Sequence, residues 1–126
     1  MRIFILFIML FCHIVDDYYL QGILAKLKQK DLWQKDPLYK HDYKVALIEH
    51  GFSWTFMIML PVMLWMIFTN NFLVGLYCFA FVINWVIHTW VDHLKCNVKN
   101  CSLMVDQIIH VCQVTCTWAV MYYMIK

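Results

Sequence analysis

The sequence predicts an all-α fold: a single-domain, four-helix transmembrane bundle (1–126) with up-down topology and a short amphipathic interfacial segment between helices 1 and 2. Three observations predict it. The chain is 63% hydrophobic and only 14% charged, where soluble domains are about 45–50% apolar and about 25% charged. At 126 residues it is too small to hide that much apolar surface in a water-soluble core. The apolar residues also fall into four runs, each close to the roughly 20 residues a helix needs to cross a bilayer.

The first run covers 2–20. Arg2 followed by an apolar stretch imitates a signal peptide, but no small-residue cleavage site follows, and His13, Asp16 and Asp17 occupy its second half. The second run covers 45–68, the third 72–94 and the fourth 102–125. The link 21–44 is polar, and in it Leu24, Leu27, Leu32 and Trp33 interleave with lysines. That pattern suits a short helix lying on lipid headgroups. The other links, Thr69-Asn70-Asn71 and Lys95 to Cys101, are short, which forces antiparallel neighbours. Trp33, Tyr39, Tyr43, Trp90, Tyr122 and Tyr123 fit interfacial belts. The cysteines show no disulfide framework, and Cys96 and Cys101 are expected to be free thiols.

Orientation follows from the basic residues. Lys26, Lys28, Lys30, Lys35, Lys40 and Lys44 lie in the first link and Lys95 and Lys99 in the third, against Arg2 and Lys126 on the other side. The positive-inside rule therefore puts both lysine-rich links in the cytoplasm, with the termini outside an inner membrane. A net charge of +2 gives no support to nucleic-acid binding.

With that orientation, the polar residues of all four spans fall at the cytoplasmic end. The first span carries His13, Asp17 and then Gln21; the second His50; the third Asn84, His88 and Asp92; the fourth Asp106, Gln107 and His110. Within each helix they recur three or four apart, so each helix turns a polar stripe to one side, and the bundle axis is the side away from lipid. His50 and Trp54 form such a pair on the second span. A charged residue at the centre of a span costs roughly 2.5–3.5 kcal/mol on insertion scales, so these groups need partners. The spans as drawn contain no Lys or Arg beyond Arg2, which makes metal the simplest compensating charge. His13, Asp17, His50, His88, Asp92, Asp106 and His110 are the candidate ligands. Carboxylate and imidazole together suit zinc, manganese, iron or nickel. Seven ligands exceed the needs of one tetrahedral ion, so two divalent ions are expected. Gln21, Asn84 and Gln107 would orient the ligands from behind. Asp16, Glu49 and His93 fall off the stripes and are expected to be solvated, as is His41 in the link.

The order His13-x3-Asp17-x3-Gln21, a lysine-rich stretch, His50, His88-x3-Asp92-x2-Lys95 and Asp106-Gln107-x2-His110 resembles the DUF3307 family of small bacterial and phage membrane proteins. The resemblance runs over nearly the whole chain. It implies four helices and a shared polar site, and implies no reaction. Asp17-Tyr18 stands where the family often has Asp-Phe. A weaker similarity links the paired motifs to membrane-bound metal-dependent hydrolases and to zinc phospholipase C and nuclease folds, an analogy of fold that does not settle function.

Two classes of function fit. The first is a metal-dependent hydrolase opening to the cytoplasmic leaflet, acting on a phosphate-containing substrate such as a phospholipid headgroup or a nucleotide. Asp17, Asp92 or Asp106 would serve as general base, and Lys95 at the mouth would attract the phosphate. The second is a non-enzymatic ion-handling, regulatory or interaction protein of phage or bacterial membranes. Against a through-pore, 56–68 and 73–83 offer no polar track. The sequence leaves homo-oligomerisation open.

Overall fold

The computed structural model describes residues 2–35 and 37–125; Lys126, counted above beside Arg2, lies outside them. Helix α1 (Arg2–Val15) continues without a break into a π-helical turn, Asp16–Leu20. The link then folds into a single helical turn, α2 (Leu24–Leu27), and a 3₁₀ turn, Lys30–Leu32. Helix α3 (Tyr43–Phe68) is the longest, α4 (Val74–His93) runs on into a second π-helical turn, Leu94–Val98, and α5 (Leu103–Met124) ends the described chain. No strand occurs among the described residues.

Four of these helical stretches, Arg2–Leu20, Tyr43–Phe68, Val74–Val98 and Leu103–Met124, are long and apolar enough to cross a membrane. Their outward faces are apolar: Phe4, Phe7, Phe11, Phe79, Val86, Met104 and Ile108 are all exposed. Apolar surface on this scale is not stable against water, so the chain is a membrane protein. The spans agree with the apolar runs to within a few residues, with one consequence. Lys95 and Cys96 belong to the helical extension of the third span, not to the link after it.

Local chemistry explains where the helices stop. Asn70 takes a left-handed backbone, φ 53°, and the Thr69 hydroxyl donates to the Trp65 carbonyl at 2.8 Å, which closes the turn after α3. Lys99, φ 60°, does the same after α4, where the Asn100 amide reaches back to the Leu94 carbonyl at 3.2 Å. Ser102 caps α5, its hydroxyl accepting from the Val105 amide at 3.3 Å, a side-chain substitute for a missing helical acceptor.

Helix α3 packs against α1 and α4, while α5 packs against α1 and α4. Away from the lysine-rich links the interior is dry, built on Met9, Ile58, Met59, Val62, Trp65, Met66, Val114, Met121 and Ile125. Gly51 lets α3 and α4 approach, because a Cβ there would collide with the Thr89 hydroxyl and lie 3.2 Å from the Trp85 ring. Gly51→Ala is expected to lower stability by about 1–3 kcal/mol through overpacking, with Thr89→Ala restoring part of the loss when combined with it. Thermal unfolding in detergent reads this, and an unchanged melting point for Gly51→Ala would refute the close approach.

One expectation about the periphery changes. Tyr43 is buried and stacks on His93, with centroids 6.1 Å apart, so it is a packing residue and not part of an aromatic belt. Trp90 and Tyr123 are exposed, as a belt requires. All six cysteines are free.

Candidate metal centre

The polar stripes of all four spans meet in one buried cluster. His50, His88, Asp92, Asp106 and His110 are fully buried, and His13, Asp17 and Asn84 nearly so. At its centre His88 bridges two other imidazoles. Its Nε2 lies 3.3 Å from His50 Nε2 and its Nδ1 lies 3.3 Å from His110 Nδ1. Acids flank this row. His50 Nε2 stands 3.4 Å from Asp17 Oδ1 and 3.3 Å from Asp92 Oδ2, and His110 Nε2 is 3.2 Å from Asp106 Oδ1. The α4 and α5 pairs follow directly from their four-residue spacing.

Three groups bring one ligand atom from each member within 4.8 Å of one another: Asp17–His50–His88, His88–Asp92–His110 and Asp17–Asp106–His110. Six of the seven residues chosen from the sequence are therefore gathered. His13 is the exception, since both of its ring nitrogens are engaged elsewhere. Trp54 Nε1 donates to His13 Nδ1 at 2.8 Å, and an indole can only donate. The His13 proton therefore sits on Nε2, which donates to Gln107 Oε1 at 3.1 Å. That fixes the Gln107 amide, whose NH₂ donates to Asp17 Oδ2 at 2.8 Å and to Asp106 Oδ2 at 3.1 Å. Trp54 also stacks on His88, 4.1 Å between centroids and 14° from parallel. A chain of single-direction hydrogen bonds thus runs from the apolar core to two carboxylates and holds them aimed inward.

Behind His110, Gln113 Oε1 lies 3.1 Å from Nδ1, and Gln113 Nε2 donates to the Asn84 carbonyl at 3.2 Å. Asn84 donates onward to Thr117 Oγ1 at 2.7 Å. Gln107 and Asn84 thus stand behind the cluster. Gln21 does not reach it, as its amide donates to the Asp17 backbone carbonyl.

Two residues join the centre that the sequence reading left out, Asp16 and Lys28, and Lys95 reaches further in than the mouth. Asp16, expected to be solvated, is fully buried. It accepts from Ser53 Oγ at 2.6 Å, and its other oxygen faces His50 Nδ1 at 3.8 Å. The reason is the π-helical turn beginning there. A wider turn advances each residue through a smaller angle, so adjacent acids can share an inward side. Lys28, from the link, is buried with Nζ 2.5 Å from Asp92 Oδ2. Lys95 lies 2.6 Å from Asp106 Oδ2 and 3.3 Å from Asp92 Oδ1, its side chain 22% exposed. The expectation that no basic group neutralises these acids is therefore wrong. A link lysine folds in from outside the spans, and the helical extension of α4 carries a second. By contrast, Glu49 and His41 are exposed as expected, and His93 stays outside the cluster beside Asn97 and Tyr43.

The chemistry suits a cation. Asp17 Oδ1, Asp92 Oδ1, Asp106 Oδ1, His50 Nδ1 and His110 Nε2 are buried without a well-formed hydrogen bond among the described residues, their charged or imidazole neighbours standing at 3.2–3.8 Å, and buried polar atoms are ordinarily better paired. Counted with all four carboxylates ionised and the imidazoles neutral, the four acids facing two ammonium groups leave two negative charges, the charge of one divalent ion. Comparison with models of known families, with curated proteins and with solved structures finds no match.

Proposed function

We propose that the chain is an integral membrane metal-binding protein, with one resident divalent cation, and that it works as a metal-dependent hydrolase on a phosphate-containing substrate at the cytoplasmic leaflet. The observation that carries the reading is the gathering of buried His/Asp triads from four different spans. Each triad supplies three protein ligands, the number catalytic zinc sites use while keeping a fourth position for water or substrate. The expectation of two ions rested on seven ligands outnumbering the needs of one ion; Lys28 and Lys95 now stand beside these acids. With Lys28 and Lys95 both docked, the empty centre has the charge excess of one ion, not two.

A bound zinc, manganese or iron ion would lower the pKa of a coordinated water toward neutrality. Asp17, Asp92 and Asp106 are the carboxylates from which a general base is drawn. Gln107 keeps Asp17 and Asp106 oriented, and the indole of Trp54 with His13 keeps Gln107 oriented. Lys95 is the positive group with access to the outside, which suits a phosphate of a lipid headgroup or a nucleotide. The up-down topology, the lysine-rich links in the cytoplasm of an inner membrane, the α2 segment resting on headgroups and the likeness to the DUF3307 family belong to the same proposal.

A non-enzymatic ion-handling role is the second reading. The observation favouring it is the burial of every triad member, together with the polar ladder His110–Gln113–Asn84–Thr117 that runs between α5 and α4. Elemental analysis of the purified and metal-reloaded wild type beside Asp92→Asn and His110→Ala tests the shared premise. About one equivalent in the wild type and a loss in both variants is expected, and a metal-free wild type after reloading would end it. Chelator-sensitive turnover of phosphodiesters or phospholipids then separates the hydrolase from the ion-handling reading.

A further inference from the structure

Lys28 is the only buried lysine or arginine among the described residues, and it comes from a link rather than a span. Its ammonium lies 2.5 Å from Asp92 Oδ2. The link is held over the cluster by packing of α2 against α3 and by a few polar contacts. Asn97 Nδ2 donates to the Lys28 carbonyl at 3.0 Å and Asn97 Oδ1 accepts from the Lys30 amide at 2.6 Å. Lys99 pairs with Asp31 at 3.1 Å, both well exposed, and such a pair contributes little.

Asp92 is the acid of the His88–Asp92–His110 triad. One of its oxygens is held by Lys28 and the other lies 3.3 Å from Lys95. A divalent ion on that triad would bring two further positive charges next to the Lys28 ammonium, in surroundings where charges interact more strongly than in water. Lys28 stands just past the single turn α2 in the link, whereas the triad members stand on the four long spans.

We propose that Lys28 is a tethered competitor for the cation: its docking on Asp92 and divalent-ion binding there exclude each other, so that loading the site releases the 21–33 link from the mouth. This rests on the metal-centre reading above. It makes the link the regulator of that centre, closed when empty and open to substrate when loaded. Linkage requires the effect to be reciprocal: the factor by which the docked link weakens metal binding is the factor by which metal weakens docking.

The test uses the full chain in lipid nanodiscs, with Zn²⁺ as probe. Calorimetric titration compares the wild type, Lys28→Gln and Lys28→Arg, while a trypsin time course on the wild type, with and without Zn²⁺, reads release of the link. Lys28→Gln is expected to bind Zn²⁺ about tenfold more tightly and Lys28→Arg about as the wild type does. Zn²⁺ is expected to speed cleavage within 21–35. A purely structural Lys28 gives the opposite, weaker binding in Lys28→Gln, and that result overturns the proposal, as does unchanged affinity. If Lys28→Gln fails to fold, the wild-type arm decides: cleavage indifferent to bound Zn²⁺ overturns it. Zn²⁺ binding by the wild type with no Lys28 effect sinks this inference alone, whereas no binding by any variant sinks the metal centre with it.

Discussion

His88→Ala is expected to lower affinity for a divalent cation by about 100-fold or more, the upper end of what even an outer-shell change costs. His88 belongs to two of the three triads, Asp17–His50–His88 and His88–Asp92–His110, and its two nitrogens link the imidazoles of α3 and α5 at 3.3 Å each. Its loss removes a ligand and also the spacer that keeps His50 and His110 apart. His13→Ala is the informative contrast. His13 reaches the carboxylates through Gln107, so its loss is expected to cost only about tenfold. Calorimetric titration with Zn²⁺ or Mn²⁺, with circular dichroism to verify helix content, reads both. If His13→Ala lost as much as His88→Ala, His13 would be a ligand after all; if His88→Ala bound like the wild type, the cation would lie elsewhere.

The difference between these two histidines marks where sequence reasoning succeeded. Span positions were legible because lipid imposes one rule along each run, and the i,i+4 pairs on α4 and α5 were legible because helical spacing alone puts His88 with Asp92 and Asp106 with His110. The His13–Asp17 spacing carried the same signal, yet His13 faces Trp54 and Gln107. Spacing tells which residues share a face, not which neighbour a ring nitrogen will find across the bundle. Trp54, noticed as the partner of His50 on one face, held the missing clue: a buried indole must donate, and an imidazole beside it becomes its acceptor.

Asp16 and Lys28 were illegible for different reasons. Asp16 turns inward because the helix widens into a π turn at that residue. Nothing in the local letters distinguishes that turn from an ordinary one. Lys28 is one of six lysines in its link, and its burial is decided by a contact 64 residues away. Both omissions bear on the same quantity. Asp16 adds a negative charge to the centre and Lys28 a positive one, so the net demand for a cation survives while its arrangement changes. A site that carries its own ammonium groups need not be filled to be stable.

Lys95 carries the largest expected effect on stability. It contacts two buried acids from different helices, Asp106 at 2.6 Å and Asp92 at 3.3 Å, and its removal leaves Asp106 without a cation. Breaking a buried pair by removing one partner costs about 3–5 kcal/mol. Because the Lys95 side chain is 22% exposed, water can reach part of the gap, and the lower end of that range is expected for Lys95→Met. Methionine keeps most of the length of the stem, so the loss reports charge rather than packing. Adding Asp106→Asn should recover part of it, since a neutral carboxamide there no longer needs a cation and its oxygen can still accept from the Gln107 amide, which lies 3.1 Å from Asp106 Oδ2. Zn²⁺ supplies the sharper comparison. If the acids are cation ligands, the ion replaces the missing ammonium and raises the melting temperature of Lys95→Met by more than it raises that of the wild type. Thermal unfolding in detergent measures all three effects. A Lys95→Met protein that melts with the wild type would mean that Asp92 and Asp106 are bathed in water, and a charge-starved centre could then not be the reason a metal binds.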